Sequence, residues 1–342
     1  MNTIFILIDY KGIFGSKYIA VPYRSGMNKE LLVKYFRKCN FDVRFLEFSA
    51  INLRSMNFKD KYVIYTSSED IGGHYKDYIE DVLLGLELQG AKLIPEFKYF
   101  RAHNNKVFME ILRDLSTLDE IKSIQSKHFG TIVALKKMIN EKSVLKSARG
   151  AVSMGVYLSQ SKKDLIRKAK KISRSTHIKD YLWDLGRSIK RRGYIRESIY
   201  KQKFIVQNYI PNLLNDWKIL IFGKKYYILY RKTRKNDFRA SGSGLLEYRE
   251  KIPEGILDYA VRIYNCFNLP HLSIDVAYNE KNFYLIEFQA IYFGSHTLDT
   301  SPFYFTKDNN KWNIHHKTSI LEEEYVNSII YYLNKSKEDI KE

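Results

Sequence analysis

The order of hydrophobic patterns is what most narrows the folds open to this chain. Across the first hundred residues, short apolar runs alternate with helical patterns: Ile4 to Ile8, a helix near Asn28 to Lys38, then Val43 to Phe48 and Tyr62 to Tyr65. A longer amphipathic stretch follows, with Tyr75, Tyr78, Ile79, Val82, Leu83 and Leu86 at helical spacing and Gly90 where a C-cap would end it. Leu93 and Ile94 begin the next strand. Strands separated by helices need crossover connections, so this half predicts a parallel, open α/β sheet. From Ser143 the pattern changes to strands at Val144 to Leu145, Gly155 to Leu158, Phe204 to Val206, Trp217 to Phe222, Tyr226 to Tyr230, Leu272 to Val276 and Phe283 to Phe288. Short turns such as Gly223-Lys224-Lys225 and Asn279-Glu280-Lys281-Asn282 join several of them, which predicts an antiparallel second half. Glu323 to Leu333 reads as a closing helix with a frayed, charged end.

With 342 residues, 45% of them hydrophobic, the chain can bury two or three packed lobes, which excludes a disordered protein. The N-terminus shows no basic leader and no stretch approaches eighteen apolar residues, so the sequence reads as cytoplasmic with no membrane span. Cys39 and Cys266 give neither a disulfide framework nor paired metal spacing and read as small buried hydrophobes. Lys and Arg exceed Asp and Glu to give a net charge of +19, which favours anionic partners. The lysines run through every segment alongside Ile, Asn and Tyr, as a compositional bias would place them, so a nucleic-acid role is disfavoured. The densest runs, Lys162 to Lys171 and Arg187 to Arg196, read as solvated helix faces.

Two segments carry chemistry. In Val144-Leu145-Lys146-Ser147-Ala148-Arg149-Gly150-Ala151-Val152-Ser153-Met154-Gly155, a strand ends in lysine and leads into a loop of small residues. Such a lysine sets a cation beside a phosphate, and small residues let backbone amides approach its oxygens. A glycine hairpin with an incidental lysine has the same pattern. In Leu272-Ser273-Ile274-Asp275-Val276 and Tyr284-Leu285-Ile286-Glu287-Phe288-Gln289, alternation puts Glu287 and Gln289 on one face, where Asp275 can meet them across a hairpin. Two carboxylates and an amide oxygen suit magnesium carrying phosphates. Gly72-Gly73 is either a close backbone approach to a ligand or a plain turn. His74, His103 and His296 lie near these segments as possible bases or as structural residues, and adjacent His315 and His316 cannot chelate together from a strand.

Between the two segments lie Phe204-Ile205-Val206-Gln207-Asn208-Tyr209-Ile210-Pro211, Asp216-Trp217-Lys218, Tyr230-Arg231-Lys232 and Asp237-Phe238-Arg239-Ala240-Ser241-Gly242-Ser243-Gly244. In this order, over roughly Pro95 to His296, the set resembles the ATP-grasp superfamily, most nearly the glutathione synthetase and ribosomal-protein glutamate ligase branch. The resemblance implies an α/β (α+β) fold: an N-terminal lobe (1–100), a central helical segment (101–142), a small ATP-lid subdomain (143–210), a C-terminal subdomain (211–335) and a tail (336–342). It also implies that Lys106, Lys146 and the Ser153 loop touch ATP phosphates, and that Gln207, Asn208, Tyr209 and Ile210 form the adenine hinge. Asp216 and Lys218 match an Asp-x-Arg element, with lysine in place of arginine. Arg231 would reach the transferred phosphate, and Arg239 the carboxylate substrate or the developing charge. Asp275, Glu287 and Gln289 would hold magnesium, two ions or manganese included, with Gln289 where the family usually has Asn.

The reaction implied joins a carboxylate to an amine, or to a thiol, through an acylphosphate, with a small-molecule, peptide or sugar-acid substrate. A phosphotransferase and a nucleotide- or nucleic-acid-binding module without chemistry are the alternatives. Lys218, Gln289 and the proline-free segment Ala290 to Ser295 depart from the family pattern.

Overall fold

The computed structural model describes residues 2–135, 142–150, 155–175, 177–213, 215–233, 239 and 244–338, and divides the chain into two compact units. One unit holds the N-terminal 103 residues and the chain from position 214 onward; the other holds Asn104–Leu213.

The first part of the larger unit is built as the alternation predicts. Strands β1 (Asn2–Ile8), β2 (Phe41–Glu47), β3 (Tyr62–Tyr65) and β4 (Lys92–Ile94) form a parallel sheet in the order β2-β1-β3-β4. The crossovers run through α1 (Lys29–Lys38) and α2 (His74–Leu88), and α3 (Phe97–Ala102) follows the last strand. Helix α1 starts where the Asn28 carboxamide oxygen accepts from the Leu31 amide at 2.9 Å. Helix α2 starts where Asp70 accepts from the Tyr75 and Lys76 amides, and Gly90 beyond its end has φ +92°. Gly72 and Gly73 occupy the turn before α2, both at positive φ.

Within the smaller unit, α4 (Lys106–Asp114) precedes β5 (Ser126–Phe129) and the short α5 (Ile132–Leu135). Then come β6 (Ser143–Ser147), β7 (Val156–Ser159), α6 (Lys162–Ser173), α7 (Ile178–Lys190) and β8 (Phe204–Asn208). The strands form an antiparallel sheet in the order β5-β8-β6-β7. Its core gathers Phe129, Leu135, Leu145, Leu165, Phe204 and Val206. The second basic run is helical only as far as Lys190; Gly193, at φ +82°, turns the chain back.

The remainder of the larger unit is a seven-stranded sheet. Its strands are β9 (Asn215–Phe222), β10 (Lys225–Lys232), β11 (Leu246–Glu247), β12 (His271–Tyr278), β13 (Phe283–Gln289), β14 (Tyr304–Asp308) and β15 (Lys311–His315). The order is β13-β12-β9-β10-β14-β15, with β11 beside β10 and neighbours antiparallel. Helices α8 (Ile256–Phe267), α9 (His296–Asp299) and α10 (Leu321–Glu338) belong with it. Leu220, Phe222, Tyr325, Val326 and Ile329 share one core with Ile4 and Ile6 of the parallel sheet and Leu32 and Phe36 of α1. Cys39 and Cys266 are free and only half-buried. Among the described residues no helix is long and apolar enough to cross a membrane.

Candidate active site

Strand register in the larger unit sets the candidate residues side by side. Asp216 lies opposite Arg231 across β9 and β10, and Lys218 opposite Asp275 across β9 and β12. Asp275 lies opposite Glu287, and Ser273 opposite Gln289, across β12 and β13. Because side chains alternate along a strand, Asp216, Lys218, Arg231, Ser273, Asp275, Glu287 and Gln289 all stand on one face at one end of the sheet. Farther along β9 the same face turns apolar at Leu220 and Phe222, which enter the core. A register shift after Asp275 locally re-aims the strand at this point.

The charged groups interlock. Arg231 Nε donates to Asp216 Oδ1 at 2.5 Å, and its Nη2 pairs with Asp275 Oδ2 at 2.8 Å. Lys218 Nζ donates to Ser273 Oγ at 2.8 Å and stands 3.7 Å from Asp275 Oδ1. Gln289 Nε2 donates to Glu287 Oε1 at 3.1 Å. Asp216 and Arg231 are buried, while Lys218, Asp275, Glu287 and Gln289 are half-buried. Burial works against the Arg231 charge, but Asp275 and Asp216 outweigh it and raise the guanidinium further. Burial lowers Lys218, with Asp275 pulling the other way.

The donor set fits a divalent cation. Two carboxylates on adjacent strands, with an amide beside one of them, offer hard oxygen ligands. Asp275 already holds two cations in place, so this corner stabilises positive charge. Among the described residues no three His, Cys, Asp or Glu side chains cluster as a metal cage.

The smaller unit carries the lysine loop. Lys146, buried at the end of β6, is followed by a loop tied down at both ends. Lys106 donates from its backbone to Ala148 O at 2.9 Å and from Nζ to Gly150 O at 2.8 Å. The Gly150 amide donates to Asn104 Oδ1 at 3.0 Å, and the Ser147 amide to Gly155 O at 2.9 Å. Gly155 has φ +74°, and a Cβ there would lie 2.2 Å from Ser147 Oγ, so both conformation and space demand glycine. Ser153 lies outside the described residues. On β8, Gln207 is buried and its side chain donates to Glu110 Oε1 at 3.2 Å. That glutamate also accepts from Ser126 Oγ at 2.5 Å and lies 3.4 Å from Arg113. The Gln207 side chain is thus tied into the unit's interior, and Asn208 is exposed, with Tyr209 and Ile210 half-buried after it.

Register therefore joins six of the candidates, Asp216, Lys218, Arg231, Asp275, Glu287 and Gln289, and a shared loop joins Lys106 with Lys146. Arg239 is half-buried, and its neighbours in sequence lie outside the described residues. The sequence reading gave no role to Ser273, which lies in the Asp275 segment and accepts from the Lys218 amine, and it missed Glu110, which fixes Gln207 and sits in no recognisable motif. His103 Nε2 is 2.7 Å from Glu69 Oε1, and His296 packs edge-on against Tyr18.

No protein-family profile and no curated protein sequence matches the chain. Solved structures do match it over nearly its whole length. A D-cycloserine synthetase superposes with TM-score 0.52 at 9% identity, covering 97% of this chain and 100% of that one. D-alanine–D-alanine ligase from Bacillus anthracis gives 0.52 at 12% identity, with 99% and 100% coverage. A Chryseobacterium gregarium RiPP-associated ATP-grasp ligase, in complex with ADP and a leader and core peptide, gives 0.51 at 13%, with 98% and 97% coverage. The chain has the ATP-grasp fold. At these identities the likeness is one of fold, and what the chain does rests on its own residues.

Proposed function

We propose that this ATP-grasp chain is an ATP- and magnesium-dependent ligase that joins a carboxylate to an amine through an acylphosphate. The observation that carries the reading is the ordered charged face of the large sheet, where Asp275 and Glu287 lie directly across from each other and Arg231 stands beside Asp275. Magnesium held by these carboxylates and Gln289 would neutralise phosphate charge during transfer.

The chain's own groups supply the rest. Lys146, on β6 just before the loop of small residues, and Lys106, at the start of α4 and bonded to that loop, are buried cations that hold nucleotide phosphates. Backbone groups from Gln207 to Ile210 meet the adenine, since the Gln207 side chain is engaged elsewhere. Arg231, fixed by Asp216, presents a guanidinium to the transferred phosphoryl group. A substrate carboxylate oxygen attacks the γ-phosphorus and ADP departs. An amine then attacks the acyl carbon, phosphate leaves, and the amine loses a proton, giving the amide. Arg239 is assigned to the carboxylate. The net charge of +19 suits an acidic small molecule, peptide or sugar acid as substrate.

Screening acids and amines for stimulated, magnesium-dependent ADP formation, followed by mass measurement of the product, tests the proposal. Glu287→Gln keeps the side chain's shape and removes its charge, and is expected to lower turnover by about a hundredfold or more. Unchanged turnover in that variant would remove Glu287 from the site, and ADP formation that no acid stimulates would remove the ligase reaction.

A further inference from the structure

Helix α7 breaks the rule that an apolar stripe faces a core. Ile178, Leu182, Leu185 and Ile189 recur at helical spacing and form one arc, yet no residue of the helix is buried. Ile178 and Ile189 are each 77% exposed and Leu182 is 58% exposed. Tyr181 flanks the arc on one side, while Trp183, 71% exposed, lies about 100° around the helix from Leu182 on the other, beyond Lys179 and Lys190. The turn after the helix is tied to the Tyr181 flank. Asp184 accepts from Tyr194 Oη at 2.8 Å and from Arg196 Nε at 2.9 Å, and the Arg196 guanidinium lies 4.9 Å from the Tyr181 ring centre. That packing leaves the apolar arc facing outward.

The surroundings are strongly basic. From Lys162 to Lys203, fifteen of 42 residues are Lys or Arg and four are Asp or Glu, so this stretch holds +11 of the chain's net +19. Lys179 and Lys190 are exposed on one side of the arc, Arg191 and Arg192 just past its C-terminal end, and Arg187 on the opposite face. An apolar stripe with Tyr181 at one edge and cations along the other edge and past its C-terminal end matches an anionic lipid surface in both hydrophobicity and charge. A groove-binding peptide fits less well, because the arc is the convex side of one helix and none of that helix is buried against a neighbour that could form a second wall.

We propose that α7 is an interfacial helix that docks this protein on membranes rich in anionic lipid, with Ile178, Leu182 and Ile189 entering the acyl boundary and the surrounding cations meeting the headgroups. The protein associates with the surface and does not cross it. The proposal does not depend on the reaction assigned above.

Co-sedimentation of the 342-residue chain with vesicles tests it. Wild type is expected to pellet with mixed phosphatidylcholine and phosphatidylglycerol vesicles, to remain soluble with pure phosphatidylcholine, and to dissociate as salt is raised. Substituting Ile178→Ser, Leu182→Ser and Ile189→Ser together should weaken anionic-vesicle binding by about tenfold or more, with circular dichroism unchanged because these positions are exposed. Lys190→Glu with Arg191→Glu and Arg192→Glu should weaken it comparably. Failure of wild type to pellet, or equal binding by the serine variant, overturns the proposal. So does a concentration-dependent dimer, or binding of an acidic peptide or RNA, that the serine substitutions abolish while vesicle binding is absent.

Discussion

Arg231 Nη2 lies 2.8 Å from Asp275 Oδ2, so the arginine assigned to the transferred phosphate grips a carboxylate assigned to the metal. Lys218 stands on the other side of the same carboxylate. On the proposed assignment, binding of a metal and a phosphate would be an exchange of partners, in which Asp275 passes from cation side chains to the ion while Arg231 passes to phosphate. Magnesium alone must compete with both cations and gains little. Magnesium with a non-hydrolysable ATP analogue gives Arg231 a new anionic partner. Thermal melts should show a small shift with magnesium and a clearly larger one with both, corresponding to about 2.7 kcal/mol when the analogue is a hundredfold above its Kd. Equal shifts for the two conditions would contradict the exchange.

Removing the shared cation should cost the fold more than removing the whole pair. Arg231→Met leaves Asp216 buried without its 2.5 Å partner, and losing one member of a buried ion pair typically costs about 3–5 kcal/mol. Adding Asp216→Asn removes the stranded charge. The double variant should therefore be more stable than Arg231→Met alone by denaturant unfolding, and additive losses would show that the pair is not coupled.

Gly155 should act on nucleotide affinity through the lysine loop. Alanine there must adopt φ +74° and meet Ser147 Oγ, an arrangement costing about 1–2 kcal/mol in backbone conformation alone. Gly155→Ala should weaken ATP binding by about tenfold while the rest of the unit stays folded. Adding Ser147→Ala relieves the collision but not the dihedral, so calorimetric titration should show partial recovery.

A buried histidine should leave a mark on acid stability. His271 is packed against Phe222, Phe293 and Tyr325, and burial pushes its pKa from 6.5 down to about 3. Above pH 6.5 the ring is neutral in both folded and unfolded chains, and its contribution to stability is complete. Between 6.5 and about 3 only the unfolded chain takes up the proton, so stability falls with falling pH, by up to about 1.4 kcal/mol per unit. In His271→Asn the slope of unfolding free energy from pH 6.5 to about 5 should be shallower by up to that amount. An identical slope would mean that the ring protonates in the folded state.

Much of this architecture is written in local pattern. The strand and helix alternation to Ile94 specifies the parallel sheet, and the turn at Asn279 to Asn282 fixes the hairpin that sets Asp275 opposite Glu287. The placement of β12 beside β9 is not local, since it joins segments over fifty residues apart and alone brings Asp275 to Lys218. The roles of Ser273 and Glu110 escaped notice for the same reason: their partners, Lys218 and Gln207, are distant in sequence. Helix α7 is legible only in its polar part. The basic run from Arg187 reads as a solvated helix face, but the apolar face of Ile178, Leu182 and Ile189, which no described residue buries, is seen only in the structure.

The acylphosphate route is tested most directly with an oxygen-18-labelled carboxylic acid, chosen as the one that best stimulates magnesium-dependent ADP formation. Attack of the carboxylate on ATP predicts one labelled oxygen in the released inorganic phosphate and the other in the amide product. Unlabelled phosphate, or phosphate retained on the acid at the end of the reaction, would contradict it.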